Sequence, residues 1–527
     1  MATPRGFARA IIVITTVTAA VMELIDTSIV NVALSDMSGS LGVNIEDISW
    51  VITSYAIANV IIIPLTGFLA EYFGRRNYYI VSMIIFTAAS YMCAQSTSLV
   101  EIILWRFVQG VGGGALLSTS QAILFDAFEP KDRPIASGLF GMGIVLGPTL
   151  GPTLGGFIID HASWPLIFMI NIPIGIIATF LSYTFIEKKE GEGTKKKQIK
   201  IDYTGILLLA VGIGCLQYVL ERGESEDWFN SETIRISSIF ALVGLIGFIT
   251  YELSIDHPAV NLKVLGNRNL AFTTVFTFIV GLGLFTSVFV FPVLAQRVLG
   301  FTAYETGLTL LAPTLITVVM MPIIGKTMSK GVSPIPFVVV GFLLFAAYCF
   351  TSSQVSPDVG KWDFFFPLAM RAVGISMVQL PLINQAVAGL APKDYASGIS
   401  LNNMIRQLGG AFGIALANNY IANRYAQHRM DLVSSIPNGS PALTERLNII
   451  SQGLISRGSD VAGAGTKALA TVNNIVDRQA NYLAYLDTFR LIGIFFIIAL
   501  PMVVFLRVKK KSASEIAASM KAAAESH

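Results

Sequence analysis

QAILFDAFEPKDRPIASG, residues 121–138, returns in shortened form as QAVAGLAPKDYASG at residues 385–398. Gln121-Ala122, Pro130-Lys131-Asp132 and Ala136-Ser137-Gly138 recur as Gln385-Ala386, Pro392-Lys393-Asp394 and Ala396-Ser397-Gly398, offset by 260 to 264 residues. Arg106 and Arg371, each followed within a few residues by glycine, stand at nearly the same offset. Each copy is a charged turn between two long apolar runs, so the chain reads as two related halves.

The 527 residues are 54% hydrophobic and only 13% charged, with a mean hydropathy of +0.67, against roughly 25% charge in a soluble protein. Apolar runs between charged or Gly/Pro breaks give spans near 10–34, 50–70, 78–96, 102–125, 134–159, 164–186, 202–221, 233–253, 270–296, 304–326, 333–352, 364–388, 396–421 and 485–506. The expected class is an all-α polytopic membrane protein with fourteen transmembrane helices. With the N-terminus inside, the inner segments hold Arg75, Arg76, Lys131, Arg133, the lysines from Lys188 to Lys200, Lys263, Arg268, Lys326, Lys330, Lys393, Arg507 and Lys509 to Lys511. The short outer ones hold Arg222, Arg297 and Lys361, so both termini are expected in the cytoplasm. The copies at 121–138 and 385–398 then run in the same direction, a parallel repeat with spans 7 and 8 inserted between the halves.

The expected organisation is a six-helix half over 1–187, a basic linker at 188–201, an inserted helix pair at 202–253, a second half over 254–507 and a tail at 508–527. The second half includes a long polar outer loop at 422–484, where Asn438-Gly439-Ser440 is a sequon in a turn. Arg5 and Arg9 before an apolar run imitate a signal peptide. Glu23 and Asp26 interrupt it, so an uncleaved first span is expected. A formal charge of +3 gives no nucleic-acid footprint, and Cys93, Cys215 and Cys349 read as buried single thiols.

Ionisable groups in hydrocarbon are functional candidates by default. Span 1 carries Glu23 and Asp26 on one helical face. Asp26 lies roughly 22 Å along from the inner end and Arg106 roughly 6 Å in from the outer face, so their depths match. Asp26 is therefore the expected proton carrier, with Arg106 in the same polar cavity and Glu23 beside it; static locks between helix ends are the alternative. No span holds a histidine, so no metal site is expected. Arg406, roughly 15 Å from the inner end of span 13, needs a cavity or a partner. Asn31, Gln109, Gln296, Gln379, Asn384 and Asn402 join it as candidates for the substrate pathway.

Gly143, Gly147, Gly151 and Gly155 recur every four residues in span 5, with Gly138, Gly156, Pro148 and Pro152 around them. Such a stripe permits close helix approach, either as static packing or as a rocking surface between the halves. At the inner end of span 2, Gly67, Glu71, Gly74, Arg75 and Arg76 place a carboxylate beside two arginines, either as a latch on the cytoplasmic mouth or as plain topogenic charge. Gly325-Lys326-Thr327 lacks the first glycine of a phosphate-binding loop, and Gly110-Val111-Gly112 has no βαβ context, so no nucleotide cofactor is expected. An ion gradient is the remaining energy source.

The run from Gly67 to Arg76, Leu104-Trp105-Arg106 with Gln109-Gly110, and Gly138, Gly147, Gly151-Pro152, Gly155-Gly156 resemble three signature motifs of the major facilitator superfamily. Leu24-Ile25-Asp26-Thr27-Ser28-Ile29-Val30-Asn31-Val32-Ala33-Leu34 resembles the first-span motif of its fourteen-span drug:proton antiporter branch, the EmrB/QacA-type exporters. The resemblance covers nearly the whole chain. It implies export of drugs or other amphipathic compounds in exchange for protons, across the cytoplasmic (inner) membrane of a bacterium. A periplasmic adaptor and an outer-membrane channel are implied as partners in a two-membrane host. Glu71 and Tyr72 depart from the usual aspartate and basic residue, and Ile25 from leucine. The degenerate second copy of the motif, at Gly325 to Gly331, has Ser329 in place of a carboxylate. An exporter dedicated to one metabolite is the alternative; a membrane enzyme or sensor lacks the residues it would need.

Overall fold

A chain in hydrocarbon must satisfy its backbone within each segment, and the computed structural model of this protein is built of long helices accordingly. It describes residues 6–129, 132–187, 201–356, 360–388, 390–391, 394–437 and 440–505. Lys131, Lys393, the 188–200 lysines, Asn438-Gly439 of the sequon and the tail from residue 506 lie outside the described residues.

The first half comprises α1 (Phe7–Leu41), α2 (Trp50–Phe73), α3 (Arg75–Gln95), α4 (Leu99–Asp126), α5 (Arg133–His161) and α6 (Asn171–Phe185). The inserted pair is α7 (Tyr203–Arg222) and α8 (Glu232–Ser254). The second half comprises α9 (Arg268–Val293), α10 (Ala303–Ser329), α11 (Pro334–Ser352), α12 (Phe365–Gln385), α13 (Tyr395–Ser434), α14 (Pro441–Ser456) and α15 (Val461–Ala499). Local chemistry sets several ends. Ser98 caps α4 by accepting from Glu101 N, Thr302 and Glu305 form a capping box on α10, and Gly42 closes α1 at φ 66°.

Thirteen helices among the described residues are long and apolar enough to cross a membrane. Of the fourteen expected spans, α13 falls short on apolarity. Its buried face carries Asn402, Asn403 and Arg406, polar groups turned toward other helices rather than lipid. It packs against α9, α15, α2 and α4, in the centre of the bundle.

The sequence repeat returns as a packing repeat. In the first half α1 packs on α5, α2 on α4, α3 on α4 and α3 on α6; in the second, α9 packs on α13, α10 on α12, α11 on α12 and α11 on α15. The halves meet along α5 with α10 and α13 with α2, two seams that exchange under the same relation. The inserted α7 and α8 cross at Gly212 and Gly244, where a methyl on Gly212 would stand 2.7 Å from Leu245 N. Leu209 and Ile213 of α7 join Val60 and Ile63 of α2 and Leu401 and Met404 of α13 in one apolar cluster, so the pair covers a seam.

The segment 422–484, expected as a loop, is largely helix: α13 continues to Ser434, α14 follows and α15 begins at Val461. Its polar residues lie on helices, which ion pairs between α13 and α15 clamp together. Arg424 pairs with Asp487 at 2.5 Å and Arg429 with Asp477 at 2.7 Å. The first helix likewise outruns its expected end at residue 34, reaching Leu41.

Candidate functional site

Close packing of α5 on α1 positions the site. A methyl on Gly143 would stand 2.9 Å from Val21 Cγ2, one on Gly147 2.5 Å from Leu24 Cβ, and one on Gly155 2.9 Å from Ile29 Cγ1. On Gly151 it would run into the Ser28 hydroxyl. The glycine stripe therefore grips α1 within the first half, around both carboxylates. Pro152 and Gly156 are buried in the same helix. The motif also reaches the other half, with Gly138 against the Met321 carbonyl of α10 at its inner end and Thr153 against Gly307 of α10 near its outer end.

Held in this way, Asp26 is fully buried and meets Arg106 of α4, which is 1% exposed. Arg106 Nη1 donates to Asp26 Oδ2 at 2.5 Å and to Gln109 Oε1 at 2.9 Å, and its Nε donates to the Val51 carbonyl at 3.1 Å. Gln109 Nε2 and Asn171 Nδ2 donate to Asp26 Oδ1 at 2.9 and 2.8 Å. Both also reach Ser90 Oγ, which donates to the Phe168 carbonyl. Both carboxylate oxygens are thus occupied, the condition under which a buried ion pair is tolerated.

Glu23, one turn earlier and 2% exposed, is held differently. Its Oε1 accepts from Asn59 Nδ2 at 2.9 Å and from the Tyr55 hydroxyl at 3.4 Å, while Oε2 has no partner. Across the seam, Arg406 of α13 is 1% exposed, and none of its three side-chain nitrogens has a hydrogen-bond partner. Glu23 and Arg406 lie within electrostatic reach of each other, one from each half.

At the face where α1 begins, Gly67 of α2 packs on Ser397 of α13, whose backbone N a methyl on Gly67 would approach to 3.3 Å. Ser137 donates to Asn384 at 2.9 Å and Arg133 to the Tyr395 hydroxyl at 3.1 Å, both across the seam. Asn384, expected along the pathway, is thus engaged in joining the halves. Gly74 sits at φ 84°, a conformation that favours glycine, and turns the chain from α2 into α3. Arg75 pairs with Asp126 of α4 and not with Glu71; Arg76 donates to the Tyr183 carbonyl at 2.5 Å and lies over the Tyr183 ring. Glu71 is exposed, four residues before Arg75.

Asn31 is exposed, Gln296 half-buried in the turn after α9, and Gln379 buried in α12. Asn402 is buried with Oδ1 unpartnered, one turn before Arg406. Tyr55, Asn59, Ser90 and Asn171 escaped the sequence reading. Asn59 and Asn171 left a signal, an amide within an apolar run, but nothing local tied them to α1. No cluster of three His, Cys, Asp or Glu side chains suited to a metal ion occurs among the described residues.

The family model for the Major Facilitator Superfamily matches residues 16–414. The multidrug export protein EmrB of Haemophilus influenzae is 33% identical over 419 residues, 79% of this chain and 81% of that protein. The fatty acid resistance protein FarB of Neisseria gonorrhoeae is 32% identical over 502 residues, 95% of this chain and 96% of its own. Among solved structures, the human organic anion transporter MFSD10 aligns over 93% of this chain and 99% of that one, with a TM-score of 0.55 at 15% identity, a likeness of fold.

Proposed function

Since the chain belongs to the Major Facilitator Superfamily, a family of secondary transporters and not of enzymes, we propose that it exports drugs or other amphipathic toxic compounds in exchange for protons. The membrane is the cytoplasmic membrane of a bacterium, with both termini inside. The observation that carries this reading is the pair of buried carboxylates on α1, Asp26 against Arg106 and Glu23 toward Arg406, beside the seam where the halves meet. A carboxylate whose neighbours change as the halves rock exchanges protons between the two faces. Asp26, whose partners Arg106, Gln109 and Asn171 all belong to its own half, is the proton carrier in this reading. Gly67 with Ser397, and Ser137 with Asn384, form the cytoplasmic gate. The relatives EmrB, a multidrug export protein, and FarB, a fatty acid resistance protein, support hydrophobic cargo and the outward direction.

The helical extension of α13, α14 and α15 beyond the bilayer supplies a surface for a periplasmic adaptor in a host with two membranes. The test is proton release from energised everted vesicles on adding compounds from a broad panel of amphiphiles, with Asp26→Asn alongside. Release by the wild type and its loss in the variant are expected. Silence across the panel overturns the reading, and normal coupling in Asp26→Asn overturns the assignment of the proton to Asp26.

A further inference from the structure

Two buried, oppositely charged groups confront each other across the seam with hydrogen-bonding atoms to spare. Glu23 is tied to the first half through Oε1 and keeps Oε2 free; Arg406 keeps Nε, Nη1 and Nη2 free. No hydrogen bond joins them, although each acts on the other as an opposite charge. Arg106, by contrast, spends Nε and Nη1 on Val51, Asp26 and Gln109. The backbone behind Arg406 is fixed: α9 comes so close at Gly281 that a methyl there would collide with the Arg406 carbonyl. One turn on, Gly410 receives the Phe285 ring and Phe412 meets Phe278 at 5.7 Å between centroids, so aromatic rings of α9 pack on the helix that carries Arg406.

We propose that Glu23 and Arg406 together bind a zwitterionic amphiphile, a compound with an ammonium group for Glu23 and a carboxylate for Arg406 on an aromatic or otherwise apolar body. This deepens the export reading and rests on it. A free guanidinium offers a planar fork of donors that a carboxylate fits bidentately, and Glu23 Oε2 is a free acceptor for an ammonium. An anion alone leaves Glu23 without its counter-charge, and a cation alone does the same to Arg406. A zwitterion satisfies both and adds no net charge to a buried site, where an unpaired charge costs several kcal/mol.

The test uses the full chain in nanodiscs with three probes of similar size: 1-naphthylalanine (zwitterion), 3-(1-naphthyl)propionate (anion) and 2-(1-naphthyl)ethylamine (cation). Binding is read by naphthyl fluorescence. The zwitterion is expected to bind about tenfold tighter than either single-charge probe, through contacts that neither can complete. Arg406→Gln erases its advantage over the cation and leaves cation binding intact. Glu23→Gln erases its advantage over the anion. Each variant keeps one binding mode, which excludes misfolding as the cause of the loss. Equal binding of zwitterion and cation, or an undiminished preference in Arg406→Gln, overturns the inference. If other amphiphiles still drive proton release from vesicles, the export reading survives that failure; if none does, both fall.

Discussion

The guanidinium of Arg106 lies 4.2 Å from the centroid of the Tyr55 ring, and the hydroxyl of the same Tyr55 donates to Glu23 at 3.4 Å. One side chain of α2 therefore touches both charge systems of α1, with its face toward Asp26's partner and its edge on Glu23. Any movement of α2 against α1 alters both at once. Tyr55→Phe removes the hydroxyl alone and is expected to cost about 1 kcal/mol, whereas Tyr55→Leu also removes the ring beneath Arg106 and costs about 1 to 2 kcal/mol more. Thermal unfolding in detergent orders the two, and a Leu variant as stable as the Phe variant contradicts the stacking role.

The Asp26–Arg106 pair is buried and saturated, so losing one partner is worse than losing both. Asp26→Leu or Arg106→Met alone is expected to destabilise by roughly 3 to 5 kcal/mol, and the double variant by less than either. Unfolding midpoints of the four proteins close the cycle. Additive losses show that the charges do not compensate each other.

Gly151 has no room for a methyl because Ser28 fills the space. Gly151→Ala is expected to cost about 1 to 3 kcal/mol and to impair transport by displacing α1, with Ser28→Gly restoring part of the loss. Gly39→Ala, where nothing lies within 4 Å, serves as the control and is expected to be neutral or mildly stabilising. Expression level, melting temperature and vesicle transport report all three.

At the inner face the charge that matters to Arg75 is Asp126. Asp126→Asn is expected to lower transport several-fold with less than about 1 kcal/mol lost in stability, since the pair is partly exposed. Glu71→Gln is expected to leave transport unchanged. The reverse order of effects places the latch back on Glu71.

Beyond the bilayer, the hydrogen bond from Arg429 holds the Asp477 carboxyl below its usual range. A folded-state pKa depressed in this way stabilises the clamp above the unfolded value, and that contribution is lost as pH falls through the depressed one. The contact between α13 and α15 should therefore hold at neutral pH and loosen only below about pH 4. Hydrogen exchange over residues 461–477 is expected to quicken there, and Asp477→Asn to quicken it at pH 7. An exchange rate insensitive to both assigns the clamp to other contacts.

The positions of the spans, the two-half build and the isolation of Asp26, Glu23, Arg106 and Arg406 in hydrocarbon are all legible in one dimension. Hydropathy is a local property, and a charge in an apolar run stands out wherever the run goes. Even the shared depth of Asp26 and Arg106 followed from counting residues along straight helices. Partners are another matter. Asn59, Tyr55 and Asn171 reach α1 from 32 to 145 residues away, and which helical faces meet is decided by packing. The same holds for Arg75, which adjoins Glu71 in sequence but pairs with Asp126 of α4. It holds for the glycine stripe, whose spacing announces a close contact without saying with what. Only the tertiary structure distinguished Arg106, with its hydrogen bonds complete, from Arg406, with none. The reason is physical: a buried charge acquires its meaning from the atoms around it, and those come from distant parts of the chain.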